Sequence, residues 1–248
     1  MTLTDFFHQH PKAALALSGG IDSAYLLYEA LQSGAQVRPY FVKTVFQPAF
    51  ELNDAKWLTA QLGVELTVLN LDILCDSGVA SNPDDRCYYC KRALMTCLYV
   101  RAMQDGFDLL LDGTNASDDA GDRPGMRALM ELHVRSPLRE CGLTKDEIRR
   151  RAREAGLFLW NKPAYACLAT RVPAGVPFTV DLLHRIECAE DCLFQLGFSD
   201  FRVRVFHEAA RIQLPPSQMA AAWERREEML RLLKPYFSTI LLDMEGRT

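Results

Sequence analysis

No stretch of this 248-residue chain reaches the ~18 consecutive apolar residues that a membrane-crossing helix needs, so no span is expected. No secretory leader is expected at its start. Eight cysteines in that setting point to a reducing cytoplasm, with thiols and metal ligands rather than disulfides. Positive charge is in short supply: 28 lysines and arginines face 32 aspartates and glutamates, for a net charge of −4. That balance argues against a nucleic-acid footprint over the whole surface and leaves only a local basic groove open. The chain has no internal repeat, no low-complexity tract and no G-x-x-x-x-G-K-S/T motif, so γ-phosphoryl transfer on a Walker A loop is not expected. It has one CxxC pair and no second, where a structural zinc site would want four ligands. The remainder is ordinary globular composition, 49% hydrophobic and 24% charged, with length for one large domain or two small ones.

The most informative stretch is Leu15–Ser23, LALSGGIDS. The apolar run 13–17 reads as a short buried strand, and a helix begins after Gly20 and continues to about Ala30. Glycines let a backbone approach a phosphate closely, and the free N–H groups of a new helix hold the charge. Ser18, Gly19, Gly20 and Ser23 therefore read as an anion cradle, with Asp22 placed to hold a Mg2+ ion between phosphates. A plain strand-to-helix turn would need the glycines but not the whole SGGxDS string. That string resembles the pyrophosphate-loop ATPases, which cleave ATP between its α and β phosphates; the resemblance implies adenylylation.

Along the chain, residues 37–44 and 64–71 read as strands and 50–62 as the helix between them. Residues 76–85 read as a loop leading into Arg86–Lys91 and then a helix through about Gln104, and 109–111 as a fourth strand. Strands separated by helices imply right-handed crossovers and an α/β fold with a doubly wound, mostly parallel sheet. Ligands sit at the carboxyl ends of such strands, which places Gly113 and Thr114 beside the cradle as further nucleotide contacts. Residues 118–125 read as an irregular loop, functional or disordered, Thr144–Gly156 as a helix with a capping box, and 161–177 as irregular. From Thr179 a smaller α+β part is expected: helix 180–196, strands 201–206 and 211–214, helix 217–233 and strand 239–244. The expected domains are 1–177 and 178–248.

Three runs carry a narrower resemblance: SPLRECGLTKDEIRRRAREAGLFLWNKPAYACLATR, DGTNASDDAGDRPG and the terminal LLDMEGR. Together they resemble the LarE-type sulfur transferases, over nearly the whole chain. That resemblance implies adenylylation by ATP of a carboxylate of pyridinium-3,5-biscarboxylate mononucleotide. Sulfur then displaces AMP, toward the nickel-pincer nucleotide cofactor. It implies that Cys167 is the central sulfur residue. In one form of the family that cysteine gives up its own sulfur; in another it joins a CxxC pair around a 4Fe–4S cluster. Cys87, Cys90 and Cys167 match the second form. On the residues alone a redox disulfide, a zinc site and plain buried thiols stay open for the CxxC pair. Cys75, Cys97, Cys141, Cys188 and Cys192 read as structural thiols, Cys75 and Cys97 being the plausible extra ligands.

Arg202 and Arg204 alternate along one strand face, the arrangement that grips a phosphate, although solvated edge arginines would look the same. The resemblance implies a phosphate-binding arginine pair there, and a site glutamate matched by Glu187, which a surface helix charge explains nearly as well. Arg171 is placed to orient substrate or to act on the Cys167 thiol. Gln213 stands where the family pattern has an acid. The rival readings are a tRNA thiolase of the same superfamily, an ammonia-using ligase, and a catalytically dead nucleotide-binding partner. A small-molecule nucleotide substrate and a homo-oligomer, trimer or hexamer, complete the expectation.

Overall fold

The computed structural model describes residues 1–118 and 124–247. Packing divides the chain into two units, Met1–Val79 with Asp85–Lys162, and Ala80–Asp84 with Pro163–Thr248. Through the first half run α1 (Leu3–Gln9), β1 (Lys12–Ala16), α2 (Ile21–Gln32), β2 (Gln36–Lys43), α3 (Ala49–Gln61), β3 (Thr67–Asn70), α4 (Ser77–Ala80) and α5 (Arg86–Gln104). Then come β4 (Leu110–Leu111), α6 (Pro124–Glu131), α7 (Pro137–Glu140) and α8 (Lys145–Glu154). The remainder holds α9 (Val180–Gln195), β5 (Arg202–Phe206), β6 (Ala209–Gln213), α10 (Met219–Glu224), α11 (Arg226–Leu233) and β7 (Thr239–Leu242).

The first unit carries a four-stranded parallel sheet in the order β3-β2-β1-β4, the expected α/β arrangement. Its strands sort their side chains by parity. Ala13, Leu15, Leu17, Val37, Phe41 and Leu111 enter one core with α1, α2, α3, α7 and α8. Ala14, Tyr40 and Leu110 enter the other with α5 and α6. A strand covered on both faces reads as the continuous apolar run seen at 13–17. Strand β3 is shorter than the expected 64–71, because only Thr67–Asn70 meets the carboxyl half of β2. Residues 1–12 contain more than a lead-in: Thr2 and Asp5 close a capping box on α1.

In the second unit β5 and β6 form an antiparallel hairpin and β7 joins β6 in parallel. The sequence reading ended the first domain at residue 177, whereas packing assigns 163–177 to the second unit. Asn82 shows why. Its Nδ2 donates to the carbonyls of Pro173 (2.8 Å) and Val176 (3.0 Å), and its own carbonyl accepts from Gly175 (2.8 Å). Asn82 sits at φ 54°, a left-handed conformation that asparagine tolerates. The expected loop at 76–85 thus contains the α4 turn and this buried tie. The 161–177 stretch contains a 3-10 turn, Leu168–Arg171. The expected helix 217–233 is broken at Arg225, whose guanidinium reaches across to the Leu196 carbonyl and to Glu228. The expected loop 118–125 lies largely outside the described residues. Among the described residues no helix is long and apolar enough to cross a membrane.

Candidate functional site

The glycine turn between β1 and α2 is held by contacts that only glycine permits. Gly19 has φ 75°, and a Cβ there would lie 2.4 Å from the Glu51 carbonyl oxygen on α3. A Cβ on Gly113, which follows β4, would lie 2.7 Å from the Ser23 amide nitrogen. Gly113 therefore brings the end of β4 against the first turn of α2, as expected. The Ser18 amide donates to Ser23 Oγ (3.1 Å), and the Gly20 amide points at Ser18 Oγ (3.4 Å). Two serine hydroxyls thus occupy the donors that a phosphate oxygen would use. Thr114 turns inward instead, donating from its hydroxyl to Asp112 (2.6 Å), which also accepts from Ser136 (2.7 Å).

Asp22 lies on the first turn of α2, with one oxygen on Lys145 of α8 and the other, Oδ1, buried without a hydrogen-bond partner. Burial pushes its carboxyl above the usual range, against the pull of Lys145; Asp118 adds to the rise and Arg149 opposes it. An orphaned, partly desolvated carboxylate oxygen beside a phosphate cradle fits a magnesium ligand. Lys162 reaches the same loop, donating to the Gly19 carbonyl (3.0 Å) and to Asp54. Sequence reasoning missed Lys145, Arg149 and Lys162. Only the i, i+4 spacing of the first two signals a shared helix face.

In the second unit Cys167 caps the 3-10 turn, its carbonyl accepting from the Thr170 amide (3.0 Å) and hydroxyl (2.9 Å). Arg171 at the end of that turn is 1% exposed and donates to Glu190 from Nε (2.7 Å) and Nη2 (3.1 Å). Burial by itself would lower the Arg171 pKa; the Glu190 hydrogen bonds and charge outweigh it and hold the guanidinium more firmly protonated, with Tyr165 and Cys167 adding to the effect. Glu190 also accepts from the Val203 amide (2.9 Å) and the Tyr165 hydroxyl. The acid placed against Arg171 is therefore Glu190, and the expected Glu187 lies half-buried one turn earlier. The signal for Glu190 was present: an acid inside the apolar stripe Leu183, Ile186, Ala189, Leu193.

Arg202 and Arg204 do share a strand face, but it is not a solvated edge. Arg202 is 4% exposed and donates to the carbonyls of Phe201 (2.6 Å) and Ala164 (2.8 Å). Arg204 donates to Gln213 Oε1 (2.6 Å) and the Thr170 carbonyl (2.7 Å). Among the described residues neither pairs with a carboxylate. Burial, with Arg171 and Arg247 nearby, lowers the Arg202 pKa to about 10, and burial and Arg171 lower that of Arg204. Gln213 donates from Nε2 to Asp243 (2.8 Å), so an amide stands between Arg204 and that acid. A buried and a half-buried guanidinium, neither paired with a carboxylate, suit an anion.

Cys87 and Cys90 lie on the first turn of α5, three residues apart on one face, with Arg86 Nη2 3.5 Å from the Cys87 sulfur. None of the eight cysteines is in a disulfide. Burial pushes the thiols of Cys97, Cys141, Cys188 and Cys192 up, and Asp72 does the same to Cys75, which disfavours the ligating thiolate in all five. Within each unit the described residues gather no group of three or more His, Cys, Asp or Glu side chains that could hold a metal ion. In donor chemistry, the two thiols on that helical turn are of the kind that ligates an iron–sulfur cluster.

No protein-family model matches the chain. It is 34% identical to an uncharacterized protein of Synechocystis sp., over 98% of this chain and 92% of that protein. It is 32% identical to the pyridinium-3,5-bisthiocarboxylic acid mononucleotide synthase of Lactiplantibacillus plantarum, over 95% of this chain and 86% of that enzyme. A tRNA-specific 2-thiouridylase of Pseudothermotoga lettingae is 28% identical over 61% of this chain and 54% of its own length.

Proposed function

The chain belongs to the LarE-type family of pyridinium-3,5-bisthiocarboxylic acid mononucleotide synthases, and from that membership we propose that it is an ATP-dependent sulfur transferase acting on a nucleotide carboxylate. A carboxylate resists substitution because oxide is a prohibitive leaving group. Its oxygen attacks the α-phosphorus of ATP; the bond to the β-phosphate oxygen breaks, and its electron pair leaves with pyrophosphate. The Gly19 and Gly20 backbone and the start of α2 receive the phosphates, while the Ser18 and Ser23 hydroxyls turn from each other toward phosphate oxygens. Mg2+ held by Asp22 would supply positive charge between the phosphates. Sulfur then attacks the acyl carbon, and AMP departs with the electrons of the C–O bond.

Arg202 and Arg204 hold the substrate phosphate, with Arg171 beside them, fixed by Glu190 and adjoining Cys167. Gln213 supports this assignment: an acid there would neutralise Arg204, and an amide does not. A 4Fe–4S cluster held by Cys87, Cys90 and Cys167 would supply a replaceable sulfide, so that the protein survives turnover. The alternative is transfer of the Cys167 sulfur itself. The reading includes a small-molecule nucleotide as substrate, the cytoplasm as compartment and self-association into a trimer or hexamer, as the family resemblance implies.

The observation that carries the reading is the orphaned Asp22 oxygen beside a glycine cradle, in a chain with this family match. Its test separates the two half-reactions. Cys167→Ala is expected to form AMP from ATP and the biscarboxylate nucleotide at near the wild-type rate and to yield no thiocarboxylate. Continued thiocarboxylate formation by that variant would sink the role of Cys167. Iron analysis decides the sulfur source. About four iron and four acid-labile sulfide per chain after anaerobic reconstitution, lost in Cys87→Ala, is the expected result. Iron-free protein with Cys167 converted to dehydroalanine after one turnover would establish the single-use alternative.

A further inference from the structure

Lys162 touches the backbone of the cradle. Its Nζ is 3.0 Å from the Gly19 carbonyl, it pairs with Asp54 of α3, and it lies 4.8 Å above the Phe50 ring. The Arg149 guanidinium pins the Lys162 carbonyl at 3.2 Å. Around the loop, the cations Lys145, Arg149 and Lys162 meet the acids Asp22, Asp54 and Asp118. The side chains of Lys162 and Asp54 remain 17% and 26% exposed, so water screens the pair and a partner of higher charge can replace the carboxylate. An ammonium has three donors on a rotatable stem, and here two are directed at Gly19 and Asp54.

Resting on the adenylylation reading above, we propose that Lys162 is the catalytic cation for the leaving pyrophosphate: it exchanges Asp54 for the β- and γ-phosphates of ATP. As the Pα–O bond breaks, negative charge gathers on the bridging oxygen. The ammonium stabilises that charge by hydrogen bonding, with no proton or electron transferred. Asp54 is the parking partner that holds Lys162 against the loop when no nucleotide is bound. The contact to Gly19 keeps the ammonium at the phosphate end of the site. AMP, which lacks the β- and γ-phosphates, gains nothing from it.

That difference supplies the test. Binding of a non-hydrolysable ATP analogue and of AMP is measured by calorimetry, and pyrophosphate release in a single turnover. Lys162→Met is expected to slow pyrophosphate release by about 100-fold or more and to weaken the analogue by at least about 10-fold, with AMP unchanged within about two-fold. Lys162→Arg should restore most of the analogue affinity. Asp54→Asn, which frees the ammonium, should tighten the analogue. Equal losses for AMP and the analogue in Lys162→Met would make Lys162 a support of the loop and overturn the assignment, as would unchanged analogue binding. Should Lys162→Met fail to fold, Asp54→Asn decides: analogue binding that stays the same or weakens refutes the exchange. The binding comparison needs no carboxylate substrate. A wild-type protein that binds both nucleotides but adenylylates nothing would defeat the proposed function and leave the Lys162 result standing.

Discussion

Gly19→Ala is expected to lower ATP-dependent AMP formation by about a hundredfold or more, while costing little of the fold. Two effects combine at that position. A non-glycine residue at φ 75° carries about 1–2 kcal/mol of backbone strain. The new methyl would also sit 2.4 Å from a main-chain carbonyl of α3, which cannot swing aside as a side chain would. The loop must therefore shift, and a displacement of about 1 Å at reacting groups is enough for a hundredfold loss. Gly34→Ala is the control, because it shares φ 75° but meets nothing within 4 Å. It should pay only the strain and keep its activity. The rates of AMP and pyrophosphate release, with thermal melting of both variants, test the pair. Near-normal turnover in Gly19→Ala would show that the cradle is not the phosphate site.

Glu190→Ala is expected to destabilise the protein by about 3–5 kcal/mol, among the largest effects any single side chain here can have. The Arg171 and Glu190 side chains are 0% and 2% exposed, so removing the carboxylate strands a guanidinium that water cannot reach. The Val203 amide of β5 and the Tyr165 hydroxyl lose their acceptor in the same step. Glu190→Gln keeps an oxygen for Val203 and should lose less, although it too leaves the cation uncompensated. Denaturant midpoints for the two variants, at constant slope, measure the difference. A Glu190→Ala protein within about 1 kcal/mol of wild type would mean that Arg171 finds water or another acceptor.

The parts of this architecture written in local pattern were legible in the sequence. Alternation and apolar runs located the parallel strands, and the SGGxDS string located the glycine turn after β1, because each depends on residues within a few positions of one another. Glu190 was harder to read. The apolar stripe of its helix marks it over Glu187 one turn away, but its partners, Arg171 and the Val203 amide, lie 19 and 13 residues off in the chain. Lys162 and Lys145 reach the cradle from more than a hundred residues away, so no spacing rule could assign them to it. Gln213 was legible as a departure from the family pattern. Its meaning came from the hydrogen bonds on either side, Arg204 and Asp243.

The tie made by Asn82 also sets a timetable for biosynthesis. Its carbonyl partners at Pro173 and Val176 follow it by 91 and 94 residues, so at about 5–20 residues per second a ribosome delivers them roughly 5–20 s later. During that interval the α5 helix and the fourth strand can be made, while residues 80–84 still lack the segment that buries them. The chain passes between units at 79–80, 84–85 and 162–163, so no single cut separates the two cleanly. A fragment ending at Lys162 would carry five residues that belong to a partner not yet born.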